Sequence, residues 1–215
     1  MTRKAVIFDV DGVLIDSYQA HFKSWLEMFG EHGESFTEEQ FRKTFGRTSR
    51  DIIAALHGND LTIAEMDAWD DRKEALYREI IRQEFPANDG AGELLDALRA
   101  AHFKLAVGSS GPPENIALTL ECLNRAALFS AVVTRVDVTR GKPDPQVFLI
   151  AGERLGVPPD QCVVVEDAPA GIEAANRAGM ASVALTGTAT RDELSHARLI
   201  VESLRELTPE VLSNL

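Results

Sequence analysis

Six short apolar runs, β-branched or aromatic and separated by stretches with helical spacing, restrict this 215-residue chain to few architectures. The first is Ala5-Val6-Ile7-Phe8. From residue 86 onward the rhythm is regular: Ala91–Ala101 reads as helix and Phe103–Val107 as strand, then Pro113–Leu123 as helix and Ala131–Thr134 as strand. Pro145–Leu155 is helical, Cys162–Val165 is a central strand, and Ala170–Ala178 is a helix that stops at Gly179. Met180–Leu185 and Leu199–Val201 complete the strands. Strands that alternate with helices imply an α/β fold with a doubly wound parallel sheet, Rossmann-like in its core.

Residues 17–85 break the rhythm. Phe22, Trp25, Leu26 and Phe29, then Phe36, Phe41 and Phe45, then Ile52, Ile53 and Leu56 recur at helical spacing, and no strand candidate appears before Phe85. The expected organisation is an α/β core domain made of residues 1–16 and 86–215, with an all-helical domain inserted at 17–85. Asp16–Ser17 and Phe85–Gly90 are the expected hinges.

Composition narrows the partners. A formal net charge of -12 opposes a nucleic-acid or anionic-membrane surface, both of which need a basic footprint. The chain enters its first strand without a secretory apolar segment, and no apolar run approaches the ~20 residues a bilayer requires. The expectation is a soluble, cytoplasmic, monomeric protein. Cys122 and Cys162 lack ligand spacing and read as core thiols.

In a parallel sheet the C-terminal strand ends share one edge, so residues that follow different strands can meet there. The first strand delivers Asp9 and Asp11, and the second Ser109 and Ser110 between Gly108 and Gly111. The third is followed by Gly141-Lys142-Pro143-Asp144-Pro145, and the fourth delivers Glu166 and Asp167. A calcium loop starting at Asp9 fails, because glycine falls at its fourth position rather than its sixth and Ala20 stands at its twelfth. Carboxylates gathered at one point repel unless a cation neutralises them, and oxygen ligands favour a hard ion such as Mg²⁺. A lysine and two hydroxyls opposite that ion can cradle a tetrahedral dianion. The joint pattern is that of phosphoryl transfer to an aspartate.

These four motifs, Asp9-Val10-Asp11-Gly12-Val13, Ser109-Ser110, Lys142 and Glu166-Asp167, closely resemble those of the haloacid dehalogenase-like superfamily, in that family's order. The insertion after the first motif resembles the cap of its phosphatase and β-phosphoglucomutase branch. The resemblance implies that Asp9 is the nucleophile, and that Asp9, the Asp11 backbone carbonyl, Asp167 and Glu166 hold Mg²⁺. It implies that Asp11 protonates the leaving oxygen and later activates the attacking group, while Ser109, Ser110 and Lys142 bind the phosphoryl group. Asp11 also argues against a dehalogenase, since halide leaves without a proton.

The same resemblance casts His21 and the loop Gly46-Arg47-Thr48-Ser49-Arg50 as cap elements that meet the substrate, with Arg47 and Arg50 nearest its leaving group. Phe45 stands where the family's mutases carry a lysine, and Ser49 where they carry an arginine, so hydrolysis is favoured over mutase chemistry. The expected function is a Mg²⁺-dependent phosphatase of a small phosphorylated metabolite, a sugar phosphate. A β-phosphoglucomutase-type mutase is the alternative, and a non-catalytic binding protein on the same scaffold is the third reading.

Overall fold

The structure is a computed structural model that describes residues 4–44, 48–58 and 60–215. The chain divides into two compact units, one formed by Met1–Asp16 with Ala87–Leu215 and the other by Ser17–Pro86. No helix among the described residues is long and apolar enough to cross a membrane.

The first unit is built on a six-stranded parallel sheet of β1 (Ala5–Phe8), β2 (Lys104–Gly108), β3 (Phe129–Val133), β4 (Cys162–Glu166), β5 (Ala181–Leu185) and β6 (Leu199–Val201). Its order is β3-β2-β1-β4-β5-β6, so the winding reverses at β1. Every residue of β1, β4 and β5 is buried, as expected of strands covered on both faces. Ala5, Ile7, Ala106, Cys162 and Val164 pack on one side against Val147, Phe148, Ala151 and Leu155 of one helix and Ala174, Ala175 and Ala178 of another. The alternating residues Val6 and Phe8 turn to the opposite face, where Phe8 meets Phe129 edge-on at 6.4 Å.

In chain order the helices among the described residues are α1 (Tyr18–Glu31), α2 (Glu38–Thr44), α3 (Ser49–His57), α4 (Ile63–Gln83), α5 (Ala91–Ala100), α6 (Pro113–Cys122), α7 (Gln146–Leu155), α8 (Pro169–Arg177) and α9 (Pro209–Ser213). The crossover helix α7 packs on β1, β2 and β3, and α8 packs on β4 and β5. Gly156, at φ 63°, ends α7, and Gly179, at φ 74°, follows α8 as the sequence indicated. Thr134, expected within a strand, instead leaves β3. Its N–H and hydroxyl both bond the Asp137 carboxylate, at 2.8 and 3.1 Å, and so begin a short 3-10 turn. The stretch expected as a hinge is anchored from Ala87 onward, with Arg205 gripping Asp89 through two 2.6 Å hydrogen bonds.

The second unit contains α1 to α4. Trp25, Met28, Phe29, Phe36, Phe41, Ile52, Ile53, Trp69 and Leu76 form its core, so the aromatic stripe read from the sequence is structural. A Thr62–Glu65 capping box starts α4, and the Thr48 hydroxyl caps α3. The core also buries a polar chain. Ser49 Oγ donates to Glu74 Oε1 at 2.6 Å, Lys73 Nζ donates to the same oxygen at 2.9 Å, and Lys73 Nζ lies 2.9 Å from His21 Nδ1. An ammonium only donates, so His21 Nδ1 is the acceptor in that contact. His21 stacks on Tyr77 with ring centres 4.1 Å apart.

Burial pushes the Glu74 carboxyl up, but the neighbouring Lys73 ammonium and the hydrogen bonds from Ser49 and Lys73 outweigh it, bringing it down to about 2 from 4.5. A carboxyl lowered on folding stabilises the fold fully above its unfolded value and loses that contribution as pH falls through the folded value. Glu74→Gln should therefore cost about 3 kcal/mol at neutral pH. The gap to the parent should shrink as pH falls from 4.5 toward 2. Urea unfolding followed by tryptophan emission measures this selectively, because the chain's two tryptophans, Trp25 and Trp69, both lie in this unit.

Candidate active site

Strand register assembles the site. Phe8 of β1 lies beside Val107 of β2 and Val165 of β4, so the residues that follow these three strands emerge together at the sheet's C-terminal edge. The ladder extends one residue past the strands: Asp9 N–H donates to Val165 O at 3.0 Å, and Ser109 N–H to Val133 O at 3.0 Å. This edge at β1 and β4 is where the winding reverses, the place where open α/β sheets bind ligands.

At the centre Lys142 Nζ donates to Asp9 Oδ1 at 2.6 Å and to Glu166 Oε1 at 2.7 Å, with the Phe148 ring 5.0 Å from the ammonium. The other Glu166 oxygen accepts the N–H groups of Asp167 and Ala168, both at 2.8 Å, where the chain enters α8. Asp9, Glu166 and Asp167 each bring a carboxylate oxygen within 4.8 Å of the other two, and all three side chains are buried. Burial raises the Asp9 carboxyl from 3.8 to about 7; the Glu166 and Asp11 charges add to the rise, while the Lys142 ammonium holds it back. Asp167 is pushed well above the carboxylate range by burial and then by Glu166 and Asp9. Lys142 moves upward despite its burial, because two carboxylates face it. With all three ionised, these carboxylates would outweigh the one ammonium by two negative charges, and an all-oxygen donor set of that charge fits a hard divalent cation.

Two glycines make this closeness possible. A side chain at Gly12 would meet Asp167 Oδ2 at 1.9 Å, and the backbone there has φ +76°. A side chain at Gly171, in the first turn of α8, would meet Glu166 Oε1 at 1.8 Å. Both carboxylates pack against bare backbone where any other residue would displace them.

The remaining expected residues divide. Ser109 is 1% exposed and its Oγ accepts the Gly111 N–H at 3.1 Å, whereas Ser110 is exposed. Asp11 is half-buried and borders the same turn: a side chain at Gly111 would reach Asp11 Oδ2 at 3.7 Å. The Asp11 carboxylate does not belong to the three-carboxylate cluster. His21 and Arg50 belong to the helical unit, His21 in the polar chain above and Arg50 hydrogen-bonded to Asp67. Gly46 and Arg47, with Phe45, lie outside the described residues.

Sequence reasoning missed several neighbours. Thr188 donates its hydroxyl to Asp167 Oδ2 from the loop after β5. That loop is a fifth strand end, and following the edge one strand further would have found it. Asn88 left no comparable signal, since it acts through contacts distant in sequence.

The model of a known family, the haloacid dehalogenase-like hydrolases, matches residues 6–185. Validoxylamine A 7'-phosphate phosphatase of Streptomyces hygroscopicus subsp. limoneus is 36% identical over 213 residues, covering 95% of each chain. β-Phosphoglucomutase of Bacillus subtilis is 33% identical, covering 97% of this chain and 93% of its own. Among solved structures, CbbY from Rhodobacter sphaeroides in complex with phosphate superposes with a TM-score of 0.91 at 23% identity over 100% of both chains, a likeness of fold. The chain belongs to the haloacid dehalogenase-like hydrolase family and is an enzyme of its phosphatase and β-phosphoglucomutase-like branch.

Proposed function

We propose that this enzyme hydrolyses a small phosphorylated metabolite, a sugar phosphate, through a phosphorylated Asp9, with Mg²⁺ as cofactor. The observation that carries the reading is the buried cluster of Asp9, Glu166 and Asp167 around one ammonium at the sheet's reversal point. The names of two relatives bear on the substrate: the phosphorylated carbohydrates phosphatase of Thermotoga maritima and the fructose-1-phosphate phosphatase of Escherichia coli.

In the first step an Asp9 oxygen attacks phosphorus, and the bond to the leaving oxygen breaks with its electron pair on that oxygen. Asp11 supplies the proton that makes it an alcohol. In the second step water attacks the phospho-aspartate, Asp11 takes the water proton, and the Asp9 carboxylate is restored. Lys142 offsets charge on Asp9 and on the transferring group, and Ser109 and Ser110 supply hydroxyls to its oxygens. Asp9, Glu166 and Asp167, with the Asp11 backbone carbonyl, would hold Mg²⁺, which neutralises phosphoryl charge when bound.

Water is the favoured acceptor because Phe45 stands where the family's mutases carry a lysine, and two nearby polar residues are engaged elsewhere. Ser49 donates to Glu74, and Arg50 is engaged by Asp67. In this reading the sugar contacts expected of the helical unit fall to His21, Gly46, Arg47 and Arg50. The mutase reading keeps the likeness to a β-phosphoglucomutase as its support.

Phosphate release from a panel of sugar phosphates with Mg²⁺ should fall about a thousandfold in Asp9→Asn. It should also fail in chelator and return with added Mg²⁺. Interconversion of β-glucose 1-phosphate and glucose 6-phosphate that outpaces phosphate release would favour the mutase instead. Lys142→Met should lower kcat/KM about a hundredfold. It should also move the acid limb of the kcat/KM–pH profile to higher pH, since removal of the cation favours the protonated form of Asp9.

A further inference from the structure

The loop that carries Asp11 is held from one side by the segment through which the chain re-enters the α/β unit. Asn88 Nδ2 donates to Gly12 O at 2.9 Å and to Val13 O at 2.8 Å, while its backbone N–H donates to Leu14 O at 3.1 Å. One residue thus engages three successive carbonyls. Around them the loop closes on itself: Gly12 N–H donates to Ile15 O at 2.8 Å, Asp11 bridges to Ile15, and Ile15 bridges to Ala87. Val13, Leu14 and Ile15 are fully buried, so their backbone has little access to water.

Asn88 is itself fixed. It precedes Asp89, which Arg205 holds with two hydrogen bonds, and Gly90, at φ 85°, starts α5. The amide therefore reaches the Asp11 loop from a rigid base. An amide is well suited to this place because it offers two N–H donors to two adjacent carbonyls; a carboxylate of equal size would face them with acceptors. Asp11 lies one peptide before the first held carbonyl, and that peptide's own N–H, from Gly12, donates to Ile15 O, so Asn88 fixes the loop around the Asp11 backbone from its C-terminal side.

We propose that Asn88 is a positioning residue that aims the Asp11 carboxyl at the leaving oxygen. The proposal rests on the reading of Asp11 as the proton donor, and its consequence is specific. An alkyl phosphate has a poor leaving oxygen and needs the proton, whereas p-nitrophenolate leaves readily without it. The ratio kcat/KM reports the steps up to formation of the phospho-aspartate, the part of the cycle in which Asp11 acts as an acid.

The test compares kcat/KM for fructose 1-phosphate and p-nitrophenyl phosphate in the full-length Mg²⁺-loaded enzyme, in the parent, Asn88→Ala, Asn88→Ser and Asp11→Asn. Asn88→Ala should lower the fructose 1-phosphate value about tenfold and the p-nitrophenyl phosphate value less than about twofold. Asn88→Ser, which keeps one donor on a shorter arm, should fall between the parent and Asn88→Ala. Equal losses on the two substrates, or no loss on either, would overturn the positioning role. Asp11→Asn separates the premises: if it too affects both substrates equally, the acid role of Asp11 is wrong, whereas a selective loss there beside an equal loss in Asn88→Ala refutes the Asn88 proposal alone.

Discussion

One ammonium shared between two buried carboxylates sets the terms for this active site. Lys142 reaches Asp9 and Glu166 at 2.6 and 2.7 Å, and Asp167 adds a third carboxylate without adding a cation. Burial first, and then the neighbouring like charges, displaces Asp9 and Asp167 upward. The fold sustains the arrangement by distributing its contributors over rigid elements. Asp9 follows a strand paired on both sides, Glu166 ends another and takes two backbone N–H groups, and Lys142 stands just before α7. With all three carboxylates ionised, the two negative charges left over are those a divalent cation would neutralise.

Much of this was legible because the relevant signals are local. A buried strand announces itself by composition, and in a parallel sheet its last residue must lie at the shared edge. Asp9, Ser109, Glu166 and Asp167 could therefore be gathered from sequence without knowing which strands pair. Strand order was not legible, since no property of Phe8 says that Val107 and Val165 flank it. The same limit hid Thr188 and Asn88, whose importance lies in a hydroxyl and an amide meeting partners 21 and 76 residues away. Gly12 and Gly171 could be read as turn and helix glycines, but not as the space that the Asp167 and Glu166 carboxylates fill.

The helical unit was legible in its core and opaque in its polar interior. Trp25, Phe29, Phe36 and Phe41 repeat at helical spacing and do form the core. Lys73 and Glu74 look like solvated charges in an acidic helix, yet Lys73 is 2% exposed and bonded to Glu74. Helical periodicity does not reveal them, because a charged pair buried among aromatics breaks the pattern that marks a buried face. Ser49 shows the same difficulty from the other side: read as the residue that replaces an arginine, it is a hydroxyl committed to a buried carboxylate.

These features change what the second crossing of the chain between its two units does. Composition around Pro86–Gly90 suggests a pliable linker, but Asn88 and Asp89 are bonded to opposite neighbours, the Asp11 loop and Arg205. A segment fixed on two sides cannot absorb a large backbone rotation without breaking several hydrogen bonds. The hydrogen bonds on both sides of Asn88 and Asp89 tie this end of the crossing to the α/β unit and to the backbone around Asp11. That anchoring suits the acid–base role proposed for Asp11: a proton must be delivered to one oxygen within hydrogen-bonding reach, and a loop that moved with its linker could not hold that distance.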